Sequence, residues 1–192
     1  MELGLQNKVA LVCAASRGLG KAVAEELANE GATLILCARD SEILNQTCEE
    51  IRQKSGVEVL GITADLTNTS DIEKLYKESI ETFGRIDILV TNVGGPPAGT
   101  FENLSRENWS DATQLLLTSV LDLTRLVLPQ MKERQWGRIL NITSIASKQP
   151  VENLILSNSL RAAVTGFAKT LADEVAPFGV TVNNILPGYT LT

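Results

Sequence analysis

The sequence predicts an α/β protein: one domain over residues 1–192, built on a parallel, doubly wound sheet. Three observations carry this. Short, strand-sized apolar blocks alternate from end to end with longer blocks of 3.6-residue period. The strand blocks are apolar almost throughout, as a sheet covered by helices on both faces requires. A length of 192 residues suits one domain, and no linker, repeat or low-complexity stretch divides it.

Val9–Val12 is the first strand. Leu19, Val23 and Leu27 then recur every fourth residue, which gives a helix with one buried stripe, and Gly31 stops it. Thr33–Ala38 is the second strand. Ser41–Lys54 is the next helix, with Ile43, Leu44, Thr47, Cys48 and Ile51 on one face. Val57–Thr63 is the third strand, followed by a helix marked by Ile72, Leu75, Tyr76, Ile80 and Phe83 and ended by Gly84. Ile86–Asn92 is the fourth strand, its apolar run broken by Asp87. A Gly/Pro loop spans 94–99, and a long helical region runs from about Arg106 to Arg134. Arg138–Thr143 is the fifth strand, about Glu152–Ala176 a helix, and Val180–Leu186 the sixth strand.

Composition excludes several functions. Hydrophobic residues are 44% and charged residues 21%, the balance of a folded globular chain. No run approaches the ~20 apolar residues of a membrane span. The N-terminus has no basic region ahead of an apolar one, so a cytoplasmic protein is expected. A net charge of −6 argues against nucleic-acid or anionic-membrane partners. The chain has no histidine, which rules out a Ser-His-Asp triad and a His-ligated metal; no metal is expected. Cys13, Cys37 and Cys48 show no CxxC spacing and read as reduced core thiols.

The stretch from Val12 to Lys21 leaves the first strand and enters the first helix. Gly18 and Gly20 let the backbone approach a ligand, and the helix N-terminus behind them offers unpaired N–H groups to a pyrophosphate. A phosphate-binding P-loop needs glycine at Ala15 and a hydroxyl at Ala22, and their absence argues against ATP. A nucleophile elbow around Ser16 needs glycine at Ala14 and a histidine elsewhere, and has neither.

These motifs make the chain resemble the short-chain dehydrogenase/reductase family, and within it the β-ketoacyl-carrier-protein-reductase-like members. The fold implied is the Rossmann type. The family's turn is Thr-Gly-x3-Gly-x-Gly; Gly18 and Gly20 match it, while Cys13 and Ala14 replace the first Thr and Gly. Ala14 is compatible with the turn if its φ is negative. By resemblance, Ala14, Ser16, Arg17, Gly18, Leu19 and Gly20 cradle the cofactor, and Asp65-Leu66 holds the adenine. Asn92-Val93-Gly94 matches the motif after the fourth strand, and Ile142-Thr143-Ser144 the end of the fifth. Pro187-Gly188 follows the sixth strand, and Thr192 falls where the family contacts the nicotinamide end. Family chains continue through a substrate lid and another strand, which these 192 residues lack or do not cover.

Members that prefer NAD end the second strand with an acid. Here that position is Ala38, followed by Arg39. Arg39 and Arg17 offer two forks of donors to a 2′-phosphate, which reads as NADP (NADPH), against the plain alternative of two solvated surface cations. Asp40 reads as the cap of the helix at Ser41 rather than a ribose ligand.

The family's hydride transfer uses Asn, Ser, Tyr and Lys. The resemblance places Ser144 at the Ser position, Leu116 at the Asn position, and Ser157 and Arg161 where Tyr-x3-Lys belongs. Ser144, Ser157 and Arg161 are the candidate catalytic residues, with Arg161 also toward the cofactor ribose. A serine is far less acidic than a phenol of pKa ~10, and arginine stays charged and shuttles no proton. Two functions remain open. One is an NADP-dependent reductase or dehydrogenase of a carbonyl or alcohol, such as a 3-oxoacyl thioester, with an altered proton donor. The other is a dinucleotide-binding regulatory or assembly protein with little turnover. Homodimers or homotetramers are implied by the resemblance; Ala162, Ala163 and Gly166 permit either helix contacts between subunits or packing on the chain's own sheet.

Overall fold

The computed structural model describes residues 3–190. Its strands are β1 (Val9–Cys13), β2 (Thr33–Ala38), β3 (Val59–Thr63), β4 (Ile88–Thr91), β5 (Gly137–Ile142) and β6 (Val180–Ile185). They form one six-stranded sheet in the order β3-β2-β1-β4-β5-β6. Every neighbouring pair is parallel. The winding reverses between β1 and β4, and a crevice opens there beyond the strands' carboxyl ends.

The helices are α1 (Gly18–Asn29), α2 (Ser41–Ser55), α3 (Thr69–Phe83), α4 (Arg106–Thr113), α5 (Ser119–Glu133) and α6 (Ile155–Val175). They divide between the two faces, as the period-two geometry of a strand demands. Leu11 and Cys13 of β1 pack with Leu75 of α3, Leu123 of α5 and Leu171 of α6. Ala10 and Val12 face the other way, onto Ala24 of α1 and Leu44 and Ile51 of α2. Both faces are therefore core, which explains the unbroken apolar strands.

Local chemistry sets the element ends. Asp40 accepts from the Ile43 N–H at 3.1 Å and caps α2, as expected. Ser105 and Asn108 form a reciprocal capping box on α4. Gly56 and Gly84 end α2 and α3 in the left-handed conformation. Several expectations are corrected. The residues of α1 fully buried against the sheet are Gly20, Ala24 and Ala28, with Leu19, Val23 and Leu27 half-buried beside them; small residues let the helix lie close. The region from Arg106 to Arg134 is interrupted by a π-helical turn at Gln114–Thr118. The last helix begins at Ile155 rather than Glu152, and β3 and β4 each start two residues later than the apolar pattern suggests.

Asp87, the one charge in the fourth apolar run, is fully buried. It accepts the Val9 N–H at 3.0 Å and two bonds from Arg85 at 2.8 and 2.7 Å, with Arg134 at 3.6 Å. The carboxylate thus ties the start of β1 to the lead-in of β4, and the Arg134 guanidinium also bonds the Ile86 carbonyl at 2.8 Å. Removing it strands a buried N–H and two arginines. Asp87→Ala is expected to lower unfolding stability by about 3 kcal/mol, read as a fall in the urea midpoint.

Candidate functional site

The first half of the site lies over β1 and β2. The turn after β1 is held from two sides: the Ala15 N–H bonds the Cys37 carbonyl at 3.0 Å, and the Thr47 hydroxyl of α2 donates to the Ser16 carbonyl at 2.9 Å. Ala14 has φ +48°, in the left-handed region, so the negative φ under which alanine fits the turn without strain is not met. The turn needs that conformation to carry the chain from β1 into α1, so alanine stands here in a glycine's geometry at roughly 1–2 kcal/mol of strain. Gly18 is left-handed too, at φ +59°. Gly20 is required by contact, since a Cβ there would collide with the Ala14 carbonyl oxygen. Arg17 sits at the cap position of α1 without a side-chain capping bond, so the first N–H groups of the helix stay free of internal partners.

In front of this turn opens a cleft of about 500 Å³. Ala14, Ser16, Arg17, Arg39, Asp65, Leu66, Val93 and Gly94 of the expected cofactor set line it, joined by Cys37, Ala38, Asp40, Ala64, Gly95 and Leu115. The acids at its rim are engaged. Asp40 caps α2. Asp65 Oδ1 accepts from the Thr67 N–H at 2.9 Å and the Thr67 hydroxyl at 2.8 Å. The Thr67 N–H, with the Thr67 hydroxyl and the Arg39 charge, holds the Asp65 carboxyl below its usual range against partial burial. Among the described residues, neither Arg17 nor Arg39 makes an ion pair.

Cys13 and Cys37 are register partners on β1 and β2, and with Cys48 they are free and buried. The Cys37 hydrogen bond, then burial, pushes the Cys13 thiol well up, so it is an inert core group.

The second half gathers at the ends of β4, β5 and β6. Thr91, Asn141 and Asn184 share one register line, and their side chains bond in series at 2.8 and 3.0 Å. This largely buried polar ladder was not read from the sequence; its signals there are Thr91 at the end of the fourth strand, Asn141 in the fifth and Asn184 in the sixth. Above it, a cavity of about 10 Å³ is lined by Asn92, Val93, Leu116, Ile142, Thr143 and Arg161 among others. Leu116 lies on the π-helical turn and is buried against it.

Arg161 donates its Nε–H to Ser157 Oγ at 3.2 Å and an Nη1–H to the carbonyls of Ile142 and Thr143, each at 3.2 Å. Ser157 and Arg161 are four residues apart on α6 and share a face, so one guanidinium joins that helix to the end of β5. Burial pulls Arg161 below the usual arginine value; it stays cationic at neutral pH. Ser144 Oγ accepts from the Ala146 N–H at 3.2 Å and caps the short 3-10 turn Ile145–Ser147. No hydrogen bond joins Ser144 to Ser157 or Arg161 among the described residues. Pro187 lies beside this turn, its carbonyl accepting the Ile145 N–H at 3.1 Å, and Gly188 follows in open space. Thr192 lies outside the described residues.

A six-stranded parallel sheet with a glycine-turn cleft at its switch point defines a nucleotide-binding α/β protein. The family model of the short chain dehydrogenases matches residues 8–192, and the chain belongs to that family. It is 35% identical to the 3-oxoacyl-acyl-carrier-protein reductase FabG of Aquifex aeolicus over 189 residues, 98% of this chain and 76% of that one. Among solved structures it resembles an L-sorbose reductase from Gluconobacter frateurii complexed with NADPH and L-sorbose, with a TM-score of 0.97 and 34% identity, covering 100% of this chain and 73% of that one. It also resembles a variant actinorhodin polyketide ketoreductase with NADPH, with a TM-score of 0.91 and 39% identity, covering 96% of this chain and 71% of that one. The fold expected from the sequence agrees with these structures. Among the described residues no helix is long and apolar enough to cross a membrane.

Proposed function

We propose that the chain is an NADPH-dependent reductase of carbonyl substrates, with β-ketoacyl thioesters as the favoured class. The observation that carries this reading is the pair of unpaired guanidiniums, Arg17 and Arg39, at the rim of a cleft that an uncapped helix N-terminus faces. Free N–H groups and the positive end of α1 suit a pyrophosphate. Ala38 leaves room for a 2′-phosphate, and the two arginine forks match its oxygens. The residues therefore fit NADP(H), and the ketoreductase relatives support both the cofactor and the substrate class.

When bound, a reduced nicotinamide supplies hydride to a carbonyl carbon. The chain's part is to hold the carbonyl and furnish a proton. Ser144 and Ser157 can donate hydrogen bonds to the carbonyl oxygen, since each has its oxygen engaged as an acceptor and its hydroxyl hydrogen free to rotate. Arg161 adds a fixed positive charge beside Ser157. None of the three is a good acid. Proton supply is thus the weak step, and loss of a general acid typically costs 10²–10⁴ in rate.

A second reading, a dinucleotide-binding protein with little turnover, draws on Arg161. Three of its hydrogen bonds go to the protein itself, and Leu116 fills the neighbouring cavity wall. Assembly into homodimers or homotetramers belongs to either reading.

Two measurements test the first reading. Calorimetry is expected to show tighter NADP(H) than NAD(H) binding, with Arg39→Ala weakening NADP(H) about tenfold and leaving NAD(H) little changed; equal NAD(H) binding by the wild type contradicts it. The double change Ser157→Tyr with Arg161→Lys is expected to raise kcat on a simple ketone, by at most about 10²–10⁴. The lysine is needed because a phenol without a neighbouring cation keeps too high a pKa. A slower double variant contradicts the account of a weak native acid.

A further inference from the structure

Hydroxyls on this chain's helices mostly turn back on their own backbone. Ser55, Ser79, Thr82 and Thr165 each donate to the carbonyl four residues earlier, at 2.7, 2.6, 2.8 and 2.9 Å. Thr47 does not. It is 2% exposed, on the face of α2 otherwise buried through Leu44, Cys48 and Ile51. Its hydroxyl donates at 2.9 Å to the Ser16 carbonyl, 31 residues away in the glycine turn.

The bond lands on the peptide that joins Ser16 to Arg17. That peptide is trans and planar, so holding its oxygen fixes the tilt of the whole plane and the direction in which Arg17 leaves it. Gly18, left-handed and without a side chain, gives Arg17 no anchor on its other side. Two further ties join α1 to α2, Lys21 to Glu50 and Lys54 to Glu25, but they link partly exposed side chains of the helix bodies and leave the turn alone. Arg39, meanwhile, directly precedes Asp40, the cap of α2. Arg17 and Arg39 line one cleft, and Thr47 does not line it. One buried hydroxyl thus joins the helix that begins beside Arg39 to the peptide that carries Arg17.

We infer that Thr47 is a positioning residue for the 2′-phosphate of NADP(H), acting through Arg17; this rests on the NADP(H) assignment in the reductase reading above. Its hydroxyl fixes how the two arginine forks stand to each other, and a fork held in place loses less freedom when it binds. The effect is selective. NADP(H) and NAD(H) differ only by that phosphate, so a loosened Arg17 weakens the first and spares the second.

Thr47→Val removes the hydroxyl and keeps the shape of the side chain. Calorimetry is expected to show its NADP(H) binding weakened about fivefold and its NAD(H) binding changed less than twofold. Thr47→Ser keeps the donor and is expected to bind NADP(H) within twofold of the wild type. In an Arg17→Ala background, Thr47→Val is expected to weaken NADP(H) less than twofold further, because the group it positions is gone. Thr47→Ala takes the same tests if the valine variant does not fold. Equal weakening of both cofactors marks a merely structural hydroxyl and overturns the assignment. So does unchanged NADP(H) binding in Thr47→Val, a full fivefold loss in the Arg17→Ala background, or a fivefold loss in Thr47→Ser. Each of these leaves the NADP(H) reading standing. A wild type that binds NADP(H) no more tightly than NAD(H) overturns that reading and the assignment together.

Discussion

The parallel pairing of β1 between β2 and β4 is the constraint on which the site depends. It sends the chain left to β3 and right to β6, and the crevice at the reversal receives the glycine turn, Arg39, Asp65 and Gly94 together. The pairing is fixed at the opposite end by Asp87, which holds the Val9 N–H and two arginines beneath the sheet. A buried carboxylate is stabilising only when its partners are all in place, so this corner specifies the register as well as supporting it.

Within that frame the resemblance sets the chain's departure from its family at the reacting end. The cofactor half keeps free N–H groups, unpaired arginines and a small residue at Ala38. In the other half, where the resemblance sets the family's acid–cation pair, Ser157 and Arg161 bond each other and the end of β5. An arginine there holds geometry and charge but no transferable proton. In the reductase reading proposed above, recognition of a dinucleotide and proton transfer are thereby separated, the first better supplied than the second.

Much of this was legible in the sequence because the signals are local. Six apolar blocks and their intervening periodic segments gave the sheet and its helices, and Asp40 was readable as a cap from its place before Ser41. What escaped was set by contacts between distant segments. The left-handed Ala14 follows from the path between β1 and α1, not from the residue's own preference. The Thr91–Asn141–Asn184 ladder exists only once three strands are in register. The π turn at Gln114–Thr118 lies in a segment whose apolar pattern is ordinary helix. Ser144 was placed at its strand end, but its bond to Ala146 and its lack of one to Ser157 needed three dimensions.

The central claim is that proton supply, not cofactor recognition, limits this chain's chemistry. The solvent deuterium isotope effect on kcat, with NADPH saturating and a simple ketone as substrate, tests it most directly. The account requires a normal effect of about 2 or more, because a proton moves in the limiting step. A value near 1 on a rapid turnover would contradict it.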